Sequence, residues 1–156
     1  MPRRRVWLEM ARSVRRVLIT GSRDWDARNK VWDALEAELL IAAREQRQLV
    51  VVHGACKTGA DLHAKQWCDW AQVGSRTPTF GVKAEPHPPK PVPRGTLIRN
   101  REMAESGVDA AHAFPNEGST GTRHCMSRCY AAGVEPINHG YQPYSAESRE
   151  FAKAYG

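Results

Sequence analysis

The sequence predicts an α/β protein with a Rossmann-like, three-layer α/β/α architecture and a mainly parallel five-stranded sheet. Short apolar runs alternate with segments whose apolar residues recur at helical spacing, which is the pattern of repeated β-α units. Three of these runs lead into turns that contain glycine, and a helical pattern follows each turn. Parallel strands bring their carboxyl ends to one edge of a sheet, where ligands of such proteins bind.

Two central strands and their helices come first. The runs Val17–Thr20 and Leu49–Val52 are short and apolar, as in strands that are covered on both faces. Apolar residues then recur every three or four positions after each run, which predicts the buried stripe of a helix. The predicted elements of this half are strands over 17–20 and 49–52 and helices over 27–44 and 60–71.

The second half alternates again after an irregular stretch. Residues 72–93 contain the helix breakers Gly74, Pro78 and Gly81, and five prolines fall within 86–93. We expect an extended loop over these prolines, placed where it could cover a ligand. The other predicted elements are an edge strand near 81–85, a helix over 96–106, a strand over 109–114, a helix over 120–132 ended by Gly133, a strand over 134–138 and a last helical turn within 145–155.

Composition is that of an ordinary soluble domain. The 156 residues are 41% apolar and 26% charged, which suits one domain with a sizeable core. No apolar run approaches the roughly 20 residues of a membrane span, and no secretory signal follows the first arginines. Four cysteines without disulfide spacing are typical of a reducing compartment. We therefore expect a cytoplasmic protein that does not enter a membrane.

The net charge of +6 is concentrated in an N-terminal arm. Residues 1–16 hold six arginines against Glu9, a balance of +5, so the other 140 residues carry only +1. We divide the chain into a basic arm over 1–15, a Rossmann-like domain over 16–139 and a C-terminal tail over 140–156. Three interpretations of the arm stay open, namely a solvated extension, a helix that packs on the domain or a partner, and a nucleic-acid contact.

The turn Gly118-Ser119-Thr120-Gly121-Thr122 is the strongest candidate for a phosphate seat. Its glycines permit close approach of the backbone, and its threonine hydroxyls add donors at the N-terminus of a helix. The simpler alternative is an ordinary turn at the start of a helix. We expect this turn to contact the ligand.

The turn after the second strand has the spacing of a P-loop without its chemistry. Gly54 and Gly59 have the Gly-x4-Gly spacing, but Ala60 and Asp61 stand where lysine and serine or threonine are required. This excludes a P-loop nucleoside triphosphatase, and the missing Gly-x-Gly-x-x-Gly argues against a nicotinamide dehydrogenase. Asp61 could accept hydrogen bonds from ribose hydroxyls or cap its own helix.

Further candidates follow from position. In the turn Gly21-Ser22-Arg23, the guanidinium could hold a phosphate bidentately or form a surface salt bridge. Arg99 and Arg101 are two apart on a predicted helix, so they cannot both face one point. Asn100 between them is a candidate for contacts with a sugar or base.

The cysteines are candidates for a metal site or for a nucleophile. Cys125 and Cys129 share a helix face next to His124, and Cys56 lies in a glycine turn. Zinc needs three or four thiolate or imidazole ligands in one place, and a thiol nucleophile needs activation at a helix N-terminus. Packing as small apolar side chains is commoner than either. We therefore expect no metal and no resident cofactor.

Taken in order, these motifs resemble the SLOG superfamily, which includes the DNA-processing DprA/Smf proteins and the cytokinin-activating LOG enzymes. The resemblance covers about 16–138 and is greatest to the small stand-alone YspA-like branch of actinobacteria and their phages. It implies a nucleotide or nucleotide-derived ligand, including NAD- or ADP-ribose-derived ones, and often a dimer. The motifs that carry it are Gly21-Ser22-Arg23, His53-Gly54 through Gly59-Ala60-Asp61, Arg99-Asn100 with Met103, and Phe114-Pro115 leading into Gly121-Thr122. The ligand residues expected from the resemblance and the turns are Gly21, Ser22, Arg23, Gly54, Gly59, Asp61, Arg99, Asn100, Gly118, Ser119, Thr120, Gly121 and Thr122.

The sequence departs from the LOG signature at a position that matters for activity. LOG enzymes carry a Pro-Gly-Gly-x-Gly-Thr-x-x-Glu signature, whose glutamate supports phosphoribohydrolase chemistry. Here Cys125 stands in the glutamate position, Ser119 replaces the second glycine and Glu117 replaces the proline. Cleavage of an N-glycosidic bond usually calls for a carboxylate. Asp61 or Glu102 could substitute, and Asp61 is the candidate catalytic residue.

The leading prediction is a nucleotide-binding sensor or sequestering module whose partner is a nucleotide-like small molecule. A hydrolase of N-glycosidic or nucleotide bonds is the first alternative. DprA-like binding of single-stranded DNA is the second, and it depends on the arm. A homodimer stays open.

Overall fold

The computed structural model describes residues 13–73 and 81–156, which form a parallel sheet between layers of helices. This confirms the predicted Rossmann-like α/β/α class. Residues 1–12 of the predicted arm, together with Gly74 and Pro78, lie outside the described residues. The elements in chain order are β1 (Val14–Gly21), α1 (Arg28–Arg44), β2 (Gln48–His53), α2 (Gly59–Gln72), β3 (Val82–Pro86), α3 (Gly95–Glu105), β4 (Ala110–Phe114), α4 (Thr120–Ala131), β5 (Ile137–Asn138) and α5 (Pro143–Tyr155).

Strand β1 lies at the centre of the sheet, whose order is β3-β2-β1-β4-β5. Leu18 of β1 pairs in parallel with Val52 on one side and Ala111 on the other. The chain adds β2 and β3 in one direction and β4 and β5 in the other, so the strand order reverses between β1 and β4. In open parallel sheets a ligand binds outside the carboxyl ends at such a reversal. Strand β3 is at an edge, as predicted.

Alternate residues of the central strands fill two apolar cores. Val17 and Ile19 pack into the core that α1 and α2 cover, and Leu18 packs into the core under α3 and α4. Both faces of the strands are therefore buried, which is why the runs are apolar without alternation. None of the helices in the described parts of the chain combines the length and apolar character that crossing a bilayer requires.

The last quarter of the chain differs from the prediction in two places. Strand β5 contains two residues rather than five, because Val134 donates its N–H to Cys129 and so completes the end of α4. Helix α5 has 13 residues rather than a single turn. It packs against α4 and buries Tyr144 and Ser148. Strand β1 also begins inside the segment that we had assigned to the arm.

A buried charged network joins β1, α1 and β4. Arg15 Nε donates to Glu38 Oε2 at 2.8 Å, and Glu38 Oε1 is 2.9 Å from His112 Nε2. His112 Nδ1 is in turn 2.8 Å from His139 Nε2. Burial raises the pKa of Glu38, but the hydrogen bonds from His112 and Arg15 outweigh it and lower the pKa. The network thus holds an anionic carboxylate in the interior with its counter-charge in place.

Candidate functional site

A cleft of about 610 Å³ opens at the carboxyl edge of the sheet. The turns after β1, β2 and β4 form its walls together with residues of α3 between Thr96 and Met103. The structure therefore brings together the three glycine turns to which the sequence pointed. The expected ligand residues that line the cleft are Gly21, Ser22, Arg23, Gly54, Asp61, Arg99, Asn100, Gly118, Ser119, Thr120, Gly121 and Thr122.

Gly59 is the one expected residue that does not line the cleft. A Cβ at this position would overlap the carbonyl oxygen of Ser22 and lie 2.7 Å from that of Arg23. Its φ of +70° also lies in the left-handed region that favours glycine. The turn after β2 is thus stacked on the turn after β1. Gly59 therefore allows the close contact between these two turns without lining the cleft itself.

The first turn of α4 presents free backbone donors to the cleft. No side chain caps this helix, and the N–H groups of Gly121 and Thr122 have no acceptor among the described residues. Thr120 N–H is taken by the Gly118 carbonyl at 3.0 Å, and Gly118 N–H by the Tyr144 hydroxyl at 2.6 Å. A Cβ on Gly121 would meet nothing within 4 Å. Two N–H groups at the positive end of a helix therefore face open space.

Arg23 is an exposed guanidinium at the rim of the cleft. Within the described ranges it forms no hydrogen bond or ion pair, so the surface salt bridge that we left open is not seen there. Its donors are available to an anion beside the start of α4. A guanidinium in this setting can bind a phosphate through two parallel hydrogen bonds.

Arg99 is instead 5% exposed and built into the cleft wall. Its Nη1 donates to the carbonyl oxygens of Gly54 and His87, and its Nε donates to Asn100 Oδ1 at 2.9 Å. Gly54 makes this possible, since a Cβ there would lie 2.8 Å from the guanidinium carbon of Arg99. Arg101 points away and pairs with Glu105 at 3.0 Å. The expectation that the two arginines face different directions is confirmed.

Asp61 is 6% exposed at the floor of the cleft. Its Oδ2 accepts a hydrogen bond from Cys56 N–H at 3.3 Å. Its Oδ1 is buried and has no hydrogen-bond partner in the described structure. Asp61 does not cap α2, whose N-cap is Thr58 and which has no side-chain cap. A buried carboxylate oxygen without a donor is costly, so the site calls for one.

Asn100 and His124 join α3 to α4 across the cleft. Asn100 Nδ2 donates to Gly121 O and to His124 Nδ1, both at 3.3 Å. Burial and the nearby Arg128 lower the pKa of His124, which favours the neutral ring. Because Nδ1 accepts from Asn100, the proton of that neutral ring belongs on Nε2. His124 was not expected to be a site residue, although it follows Gly121 by one helical turn. The other lining residues outside the expected ligand set are Thr20, Asp24, Cys56, Thr96, Leu97, Met103 and Glu117.

The surroundings of Cys125 and Cys56 are typical of cysteines that pack in a protein rather than of reactive ones. Cys125 is fully buried with Leu18 and Val52, so the position that matches the LOG glutamate faces the core. Burial and then the Asp61 carboxylate raise the pKa of the Cys56 thiol, which keeps it protonated. Across residues 13–73 and 81–156, no three His, Cys, Asp or Glu side chains are grouped to hold a metal ion.

Two other expectations concern residues near α3. Glu102 does not line the cleft and pairs on the surface with Lys90 at 3.3 Å, so it presents no carboxylate there. No residue of the proline-rich loop 86–93 lines the cleft either. The loop packs behind the start of α3, where a Cβ on Gly95 would overlap the Lys90 carbonyl.

Fold and site define a small Rossmann-like protein with a polar cleft where the strand order reverses. The model of the family described as "YspA, cpYpsA-related SLOG family" matches residues 15–78. The "Gene 61 protein" of Mycobacterium phage D29 is 45% identical over 133 residues, which are 83% of this chain and 100% of that protein. No solved structure matches. The chain belongs to the YspA, cpYpsA-related SLOG family, which confirms the resemblance and suggests a nucleotide-related ligand.

Proposed function

We propose that the cleft binds a nucleotide or nucleotide-derived ligand and that the protein acts as a sensor or sequestering module. One observation carries this proposal. Among residues 13–73 and 81–156, nothing pairs with the N–H groups of Gly121 and Thr122 at the start of an uncapped helix, or with the guanidinium of Arg23 in the same cleft. These groups are suited to a phosphate, which takes hydrogen bonds from backbone N–H and guanidinium donors together.

The rest of the cleft suits the nucleoside. Asp61 Oδ1, which has no partner in the described parts of the chain, is an acceptor for a ribose hydroxyl, which would supply the donor that this oxygen lacks. Leu97 and Met103 give the α3 side an apolar wall on which a base can lie. A phosphate at α4, a sugar at Asp61 and a base near α3 use all three kinds of surface in the cleft.

Calorimetry and thermal shift against AMP, ADP-ribose, NAD and cyclic nucleotides test this function. At a ligand concentration of 100 Kd, binding should stabilise the folded protein by about 2.7 kcal/mol. Adenosine and inorganic phosphate each contain one part of AMP, and each should bind more weakly than AMP does. Folded protein that none of these compounds stabilises would contradict the proposal.

A second candidate is hydrolysis of an N-glycosidic or nucleotide bond. The buried Oδ1 of Asp61, which none of the described residues contacts with a donor, favours it, because a carboxylate at a cleft floor can activate water. A LOG-like mechanism is disfavoured, because a cysteine rather than a carboxylate stands at the signature position and Cys125 is buried in the core. Incubation of the same compounds with the protein, followed by chromatography, separates hydrolysis from binding. Unchanged compounds across the panel would exclude this candidate.

A further inference from the structure

We propose that Tyr144 is a positioning residue that holds the turn at the start of α4, so that the C-terminal helix α5 is part of the ligand site. The inference rests on the proposed function, because the turn it holds is the proposed phosphate seat. Tyr144 does not line the cleft itself. It acts through Gly118, which does.

The contact between α5 and the turn is direct. Gly118 donates its N–H to the Tyr144 hydroxyl oxygen at 2.6 Å. Tyr144 is only 7% exposed and packs with Ala113 and Met126. Its ring also meets that of Tyr141 edge to face, with 4.7 Å between the centroids. The hydroxyl is therefore held in one place by a ring that has little freedom to move.

The same helix holds α4 one residue beyond the turn. Ser148 is fully buried, and its hydroxyl donates to the Arg123 carbonyl at 3.1 Å. Arg123 also pairs with Glu147 at 3.6 Å and lies over the Tyr144 ring at 5.8 Å from its centroid. Three side chains of α5 thus contact the start of α4 or the turn before it, and that of Tyr144 contacts a residue that lines the cleft.

The turn needs such support because glycine leaves it free. Gly118 has a φ of +86° and open space around its Cβ direction, so its own packing does not hold it. Ordering a flexible turn when a ligand binds costs conformational entropy. The Tyr144 hydroxyl fixes Gly118 beforehand and takes up its N–H. Gly121 and Thr122 are then left as the backbone donors for the anion.

Replacement of Tyr144 by phenylalanine tests the role of the hydroxyl, with AMP and adenosine as probes. Tyr155→Phe is the matched control, since it makes the same change on the same helix at a residue 73% exposed. We expect Tyr144→Phe to weaken AMP binding about tenfold while adenosine binding changes little, because only AMP reaches the turn with a phosphate. Hydrogen exchange at the Gly118 amide should become faster in Tyr144→Phe and not in Tyr155→Phe.

The remaining outcomes are also decisive. Unchanged AMP affinity in Tyr144→Phe would overturn the proposal, and so would an equal loss for AMP and adenosine, which indicates general destabilisation. If the wild-type protein binds neither probe, the proposed function fails by itself. Exchange at Gly118 then decides the present inference, because an unchanged rate in Tyr144→Phe overturns it and a faster rate supports the hold on the turn.

Discussion

The ring of His139 lies almost parallel to that of Phe114, with 4.7 Å between the centroids and 11° between the planes. His139 Nε2 is also 2.8 Å from His112 Nδ1. Burial, followed by the charges of His112 and Lys30, lowers the pKa of His139 from 6.5 to about 4. The folded protein therefore keeps this ring neutral at a pH where the unfolded chain protonates it.

We expect stability to fall as the pH drops from 6.5 toward about 4. The unfolded chain binds the His139 proton first, so each step down in pH favours unfolding in this window. The pKa of Glu38 is lowered from 4.5, so this carboxyl adds a further loss of stability only as the pH falls below 4.5. Chemical denaturation across the window should give a shallower pH dependence for His139→Gln than for the wild-type protein. Equal slopes would show that another group is responsible.

Replacement of Gly59 by alanine should destabilise the fold by more than about 3 kcal/mol. The new Cβ would overlap the Ser22 carbonyl, and the left-handed φ alone costs about 1–2 kcal/mol. Gly107→Ala is the control, since its φ is +85° and a Cβ there meets nothing within 4 Å. That variant should lose only the cost of the φ. Urea denaturation of both variants measures the difference, and equal losses would mean that the stacked turns move apart easily.

Removal of the Arg23 guanidinium should weaken the binding of phosphate-bearing ligands by tenfold or more. Hydrogen bonds to charged groups contribute about 1.5–3 kcal/mol, and the described residues offer this side chain no alternative partner. Arg101→Ala is the matched control, because that arginine pairs with Glu105 outside the cleft. Calorimetry with AMP should show the loss in Arg23→Ala alone. A similar loss in both variants would indicate a long-range charge effect instead.

Asp61→Asn should separate the roles of that carboxylate. We expect thermal stability to be kept or raised, since the variant removes a buried carboxylate whose Oδ1 has no donor among the described residues. Affinity for AMP should fall several-fold, because hydrogen bonds to an ionised acceptor are about twice as strong as those to a neutral one. Asp24→Asn, at an exposed cleft position, is the control. Full affinity for AMP in Asp61→Asn would remove the carboxylate from the sugar site.

Much of the sheet could be predicted, because strands that are buried on both faces consist of uninterrupted apolar residues. Leu18 and Val52 lie in such runs, and each predicted strand falls where a strand is found. The sequence also predicted that the three glycine turns meet, since the carboxyl ends of parallel strands lie at one edge of the sheet. The extent of β5 did not follow, because the Val134 N–H is used by the end of α4 rather than by a strand.

Two site features depend on contacts that no local pattern records. Helix α5 buries only Tyr144 and Ser148, so it shows no apolar stripe, and Tyr144 meets Gly118 from 26 positions away. Gly59 has the spacing of a ligand glycine, yet its place is set by Ser22 of another turn. Among the missed residues, His124 carried a usable signal through its helical spacing from Gly121, and Met103 and Cys56 lay in motifs already singled out.

The unequal burial of the thiols provides a label site for spectroscopy. Cys68, Cys125 and Cys129 are fully buried, whereas Cys56 is partly exposed at the cleft. Because the pKa of Cys56 is raised, a maleimide dye should couple to it slowly at neutral pH and faster at mildly alkaline pH. A fluorophore placed there would report changes in the cleft without any mutation. Labelling of the other three thiols would count global unfolding events in the same sample.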